Sequence, residues 1–292
     1  MSKYLRHNLT SQYLEAAQRM SPRKKRRRIV AYVESYDDIC FWRTILSHYE
    51  DETRYFEIML PSTKTLQHGK KTVLMSSLSS YGMGDEKTFR PIHSGDPQHP
   101  NTAYGKSKLK AEKYLRRQTY FPYVILCPTG VYGPGEKDYF MQIKSVNSGF
   151  DFTVGCTPQR ITFIYVKDLA RAAFLALENE AAHNRHYFVA DGDVYTDEAF
   201  GRLIQELLGK KHVLHARIPL CLVHVVCLIS EWIGKLLRKG MTLNTDKYII
   251  LKQRNWICDV APIQNEIGFK AEYPLRRGLK ESIEWYKKEG WL

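Results

Sequence analysis

From Thr72 onward, short apolar runs alternate with amphipathic stretches, and this alternation constrains the fold more than any other feature of the chain. Strand-like runs stand at 72–75, 123–126, 161–165 and 186–190. Between and after them, helical spacing is read at about 102–118, 137–149, 167–179 and 196–208. Strands separated by helices need crossover connections, which favours a largely parallel sheet covered by helices. Beyond Pro219 the pattern is mostly helical to the end of the chain, and no internal repeat is visible. The expected fold class is α/β.

The first 70 residues read differently. Helical spacing over residues 3–20 (Leu5, Leu9, Tyr13, Leu14, Ala17) is followed by Ser21-Pro22 and a basic run from Arg23 to Arg28. Residues 29–33 read as a buried strand, 36–48 as a helix, and 55–60 as a second strand stopped by Pro61. No glycine precedes Gly69.

The formal net charge of +13 favours anionic partners such as nucleotides, nucleic acid or acidic membrane surfaces. Cys40, Cys127, Cys156, Cys221, Cys227 and Cys258 are scattered, with no Cys-x-x-Cys pair, and read as reduced residues of a cytoplasmic protein. The opening residues lack the apolar core of a signal peptide, and no apolar run reaches the roughly 20 residues of a spanning helix. His183 with His186, and His212 with His215, have ligand-like spacing but no acidic or cysteine neighbours in sequence. They read as surface or packing residues, and no metal set is expected.

Chemistry concentrates around Tyr104-Gly-Lys-Ser-Lys108. Asn101 or Thr102 can cap a helix beginning there, and a spacing of four puts Tyr104 and Lys108 on one face, a turn apart. A nearby ammonium favours the phenolate and brings the phenol toward working pH, where it can exchange a proton with a hydroxyl or carbonyl. Ser77, at the end of the Thr72 strand, is suited to orient that oxygen. The plainer alternative is that Lys108 merely faces solvent.

The neighbouring residues resemble the extended short-chain dehydrogenase/reductase family, which includes NAD-dependent epimerases and dehydratases. The resemblance covers about residues 71–292. It rests on Val73-Leu-Met-Ser-Ser-Leu-Ser-Ser-Tyr-Gly82, on Tyr104-Gly-Lys-Ser-Lys-Leu-Lys-Ala-Glu112, and on Cys127-Pro-Thr-Gly-Val-Tyr-Gly-Pro-Gly135. Phe163-Ile-Tyr-Val-Lys-Asp168 and the tail from Cys258-Asp259 through Ile267-Gly-Phe269 to Tyr286 complete it. Tyr165 stands where that family commonly has histidine.

The resemblance implies a Rossmann-like parallel sheet with a smaller, mostly helical substrate region, and NAD or NADP as cofactor. It implies Tyr104 as general acid or base, Lys108 on the nicotinamide ribose, and Ser77 on the reacting oxygen. Pro128, Thr129, Gly130 and Val131 would form the loop beside the nicotinamide ring. The implied substrate is a hydroxy or keto small molecule, either apolar (steroid- or lipid-like) or a nucleotide sugar, and a homodimer is a family expectation. The family also opens with a glycine-rich turn whose bare backbone admits the pyrophosphate to a helix N-terminus. With no glycine before Gly69 that turn is missing from its place, so the sheet is expected to lack its N-terminal half. Gly82-Met-Gly84 and Gly133-Pro-Gly135 do not continue to a third glycine at the required spacing.

Residues 28–43 resemble instead the opening of a toprim-related bacterial family, in which Glu34 would be a metal-site carboxylate; a solvated strand end or helix cap is the plainer reading of Glu34, Asp37 and Asp38. The chain is thus expected to join a foreign α/β fragment, residues 1–70, to a truncated dehydrogenase/epimerase unit, residues 71–292. Two other functions remain open at this point: a catalytically inactive binding or scaffold protein, and a nucleic-acid-associated protein acting through the basic run. The apolar segment within 218–238 reads as a core helix, a lid over an apolar substrate, or a peripheral membrane contact.

Overall fold

The computed structural model describes residues 27–32, 54–59, 72–117, 122–237 and 244–292. The helices expected at 3–20 and 36–48, the start of the basic run, and Glu34, Asp37 and Asp38 lie outside the described residues.

Three parallel strands form the centre. Strand β3 (Thr72–Met75) pairs with β4 (Tyr123–Pro128), and β4 pairs with β9 (Arg185–Val189). Because side chains alternate across a strand, a sheet covered on both sides must be apolar at every position. Val124, Ile125, Leu126 and Cys127 accordingly have no exposed surface. Val73, Val124, Leu126, Tyr187 and Val189 pack with helix α3 (Val166–Glu178) and helix α7 (Ala261–Ile267). Leu74, Ile125, Cys127 and Phe188 face the other way, onto Leu78, Tyr81, Ile92 and Leu115. Leu115 belongs to helix α1 (Ala103–Arg116), which runs between β3 and β4 in the chain.

Strands β1 (Arg27–Tyr32) and β2 (Arg54–Met59) form their own parallel pair, and β1 runs beside β3. The two runs expected near residues 29 and 55 are therefore strands, and the Thr72 strand has β1 near it.

Two sequence expectations need correction. The run at 161–165 is not one strand: Thr162 Oγ1 turns aside to donate to Trp256 O at 2.8 Å. This break separates β7 (Arg160–Ile161) from β8 (Phe163–Tyr165), which join different sheets. The segment expected as a loop at 128–131 is strand except at Thr129, since Pro128 ends β4 and β5 (Gly130–Tyr132) pairs in parallel with β8. A further parallel pair, β6 (Phe150–Val154) with β11 (Leu214–Ile218), lies outside the expected strands although both alternate apolar with polar residues; in β6 the usual sense is inverted, with Asp151 buried and Phe150 and Phe152 exposed.

The turn after β5 is fixed by Glu136, whose carboxylate accepts from Asp138 N (2.6 Å) and Tyr139 N (2.8 Å) at the start of helix α2 (Asp138–Asn147). Burial pushes this carboxyl up from 4.5 to about 7. A folded state that holds the proton more tightly than the unfolded chain is most stable at low pH; this contribution is fully present below the unfolded value of 4.5 and is lost as pH rises through about 7. Urea midpoints measured at about pH 5 and about pH 8 should therefore differ more in the wild type than in Glu136→Gln, by up to about 3 kcal/mol. Equal pH slopes in the two proteins would remove the assignment.

Candidate active site

The end of β3 and the start of α1 meet through two devices. Thr102 caps α1 by accepting from Gly105 N at 3.0 Å. Gly105 then lets the helix lie against the 3-10 turn Leu78–Ser80, because a Cβ there would collide with the Ser79 carbonyl. Ser77 caps that turn, its Oγ accepting from Ser79 N at 3.2 Å, which leaves the hydroxyl proton to donate elsewhere.

Tyr104 stands in the first turn of α1 and is 48% exposed. Lys108, one turn on, sends Nζ to Met75 O at 3.3 Å and lies 5.4 Å from the centre of the Tyr104 ring. The ammonium is thus tethered to the strand end that leads to Ser77, rather than only facing solvent. Pro128 closes β4, and Thr129 N donates to Val189 O at 3.2 Å. Thr129 Oγ1 is buried with no hydrogen-bond partner, a hydroxyl available to a ligand beside the strand ends. Gly130 is packed tightly against Tyr139 and Phe163, while Val131 packs into the core and carries no polar side-chain atom.

One contributor had no sequence signal. Helix α6 (Thr245–Lys252) reaches across to the site, where Asp246 Oδ2 accepts from Ala103 N at 2.8 Å, next to Tyr104. Lys247 Nζ donates to Asp138 at 2.9 Å, so α6 bridges the N-termini of α1 and α2. Helix α5 (Leu220–Leu237) precedes it and exposes Leu222, Val225, Val226, Ile229, Trp232 and Ile233, which recur at helical spacing on one face. A purely buried core helix is excluded by that face. No described helix is long and apolar enough to cross a membrane.

Among the described residues, groups of the kind that meet a nicotinamide dinucleotide stand where its ribose and ring would lie. Tyr104, Lys108 and the orphaned Thr129 hydroxyl supply groups for the ribose and ring. No glycine turn precedes Gly69, and the later glycine pairs are already occupied. Gly82, with φ +80°, lies against the His99 carbonyl, and Gly84 lies against Asn255. Gly133 packs on Val166.

Three of the four histidines have carboxylate or thiol neighbours in the structure. His183 Nε2 lies 3.1 Å from Glu180, and His215 Nδ1 lies 3.0 Å from the buried Asp151. His186 Nε2 lies 3.1 Å from Cys127 Sγ and 3.7 Å from Glu112. For His186 and His215 the partners come from distant elements, which sequence spacing does not register.

The sequence pattern of the NAD dependent epimerase/dehydratase family matches residues 45–190, half of the chain and beginning upstream of Gly69. The chain belongs to that family. Human short-chain dehydrogenase/reductase family 42E member 1 is 28% identical over 230 residues, 71% of this chain and 56% of that protein. The UDP-glucose 4-epimerase of Vibrio cholerae is 26% identical over 74% of this chain and 62% of its own length. The chain therefore spans little more than half the length of these curated relatives. In the family's fold, the UDP-glucose 4-epimerase of Thermotoga maritima, solved with UDP-glucose, superposes with a TM-score of 0.61 at 15% identity, over 90% of this chain and 99% of its own. The UDP-glucuronic acid 4-epimerase of Bacillus cereus, solved with NAD, gives 0.58 at 16% identity over 75% and 62%. These likenesses concern the fold.

Proposed function

We propose that residues 71–292 carry the acid/base half of an NAD(P)-linked oxidoreductase or epimerase acting on a hydroxy or keto carbon. The observation that carries this reading is the exposed Tyr104 beside Lys108, whose ammonium is tethered to Met75 at the strand end leading to Ser77. In this reading Tyr104 Oη exchanges the proton of the substrate oxygen, and the Lys108 charge favours the phenolate. Ser77 donates to the same oxygen. Lys108 and Thr129 would hold the ribose and ring of NAD or NADP, which supplies or accepts the hydride.

The nucleotide-sugar relatives support a sugar substrate. The exposed apolar stripe on α5, next to the helix that reaches Ala103, supports an apolar one. The absent glycine turn supports a second reading, a folded protein of this family that binds no dinucleotide and acts as a scaffold. Fluorescence titration with NADH and NADPH separates the two. Saturable binding in the micromolar to millimolar range is expected from the nicotinamide end alone, whereas no binding up to several millimolar would leave only the scaffold.

A further inference from the structure

Behind Tyr104 and Lys108, the same helix carries Glu112 into the interior, where its side chain has no exposed surface. It meets Cys127 of β4, also without exposed surface, and His186 of β9, whose side chain is 12% exposed. Cys127 Sγ lies 3.1 Å from His186 Nε2 and 3.7 Å from Glu112 Oε1, and His186 Nε2 lies 3.7 Å from Glu112 Oε2. We propose that Glu112, Cys127 and His186 form a binding site for a borderline-soft divalent cation of the zinc class, bracing α1 to β4 and β9.

Three properties of the cluster support the site. The first is spacing: donor atoms with these separations can share an ion at about 2.0–2.3 Å from each, the range of Zn–S, Zn–N and Zn–O bonds. The second is charge. A buried carboxylate and a thiolate together balance a divalent cation, whereas the cation now nearest Glu112 is Arg116, at 3.3 Å with a side chain 42% exposed. A buried charge is tolerated only when it is paired.

The third is the surrounding shell. Ser76 Oγ donates to Glu112 Oε1, and Gln98 Nε2 donates to Oε2 at 2.8 Å, so the carboxylate is already oriented. The Ser80 hydroxyl lies beside the Cys127 sulfur, and burial together with the Glu112 charge pushes the thiol up, so the ion would have to displace its proton. On His186, Nε2 points at the other two donors, and Nδ1 is buried without a hydrogen-bond partner.

The site adds no step to the chemistry proposed for Tyr104, so it is tested without an activity assay. The full-length protein, stripped with a chelator, is titrated with Co2+ and then with Zn2+. The expected result is a single Co2+ per chain with a thiolate-to-cobalt charge-transfer band and tetrahedral d–d bands, both displaced by Zn2+, and a rise in Tm on adding Zn2+. Cys127→Ser should abolish the charge-transfer band, and His186→Gln should weaken Co2+ binding at least about 10-fold. Cys258→Ser, which alters another buried thiol, should leave both unchanged. No charge-transfer band in the wild type would overturn the proposal and leave a hydrogen-bonded cluster. A band that survives in folded His186→Gln at full affinity would overturn it equally, and that partly exposed position serves if Cys127→Ser does not fold.

Discussion

Tyr104→Phe is expected to lower turnover by about 10²–10⁴-fold while leaving the unfolding midpoint within about 0.5 kcal/mol of the wild type. The chemical half of this expectation follows from the phenol being the one group in the proposed site able to pass a proton directly to a substrate oxygen. Ser77 can donate, but its oxygen is already committed to Ser79 N, and Lys108 is held on Met75 O. The stability half follows from exposure, because the ring is half open to solvent and phenylalanine keeps its carbon framework. Turnover would be followed by nicotinamide absorbance with an apolar hydroxysteroid, and by chromatographic separation of the epimers with UDP-glucose, because epimerisation leaves the nicotinamide unchanged overall. Undiminished turnover in the phenylalanine variant would refute the role assigned to the phenol. A collapse of the fold would instead mean that the hydroxyl is structural.

Asp168→Ala should cost about 3–5 kcal/mol of stability, the range for leaving buried partners of a charge unpaired. Asp168 has no exposed surface and stands in the first turn of α3. Its Oδ2 accepts from the backbone N–H of Glu272 (2.9 Å) and Tyr273 (2.8 Å), and its Oδ1 accepts from Arg171 at 2.6 Å. One carboxylate thus ties α3 to the segment leading into helix α8 (Leu275–Lys288). Alanine would strand both amides away from water. Arg171→Ala also removes the counter-charge of a fully buried carboxylate, but it leaves both amide bonds in place and should cost less than Asp168→Ala. Guanidinium midpoints of the two variants make the comparison. If they fell together, the amide bonds would not be the source of the effect.

Much of this fold was legible because its signals are local. The runs at 72–75, 123–126 and 186–190 are mostly apolar, and the central strands stand there. Thr102 caps α1 where a polar residue before the helix predicted a start. The missed elements are those whose identity depends on distant partners. Thr162 breaks its strand for a carbonyl 94 residues away, and Gly130–Tyr132 is a strand only because β8 lies beside it.

The site divides along the same line. Tyr104, Lys108 and Ser77 could be named from two short motifs, because a helical spacing of four and a strand end are sequence-local geometry. Lack of a glycine turn before Gly69 was equally plain, since only glycine lets a backbone approach a pyrophosphate so closely. What needed the tertiary structure was every contact between elements far apart in the chain: Asp246 on the start of α1, Lys108 on Met75, and His186 beside Cys127 and Glu112. Periodicity tells which face of an element is apolar, but it carries no record of which other element that face will meet. The parallel sheet makes that choice by bringing β3, β4 and β9 side by side, and so decides that Cys127 and His186, which read as unrelated residues in the sequence, close on Glu112.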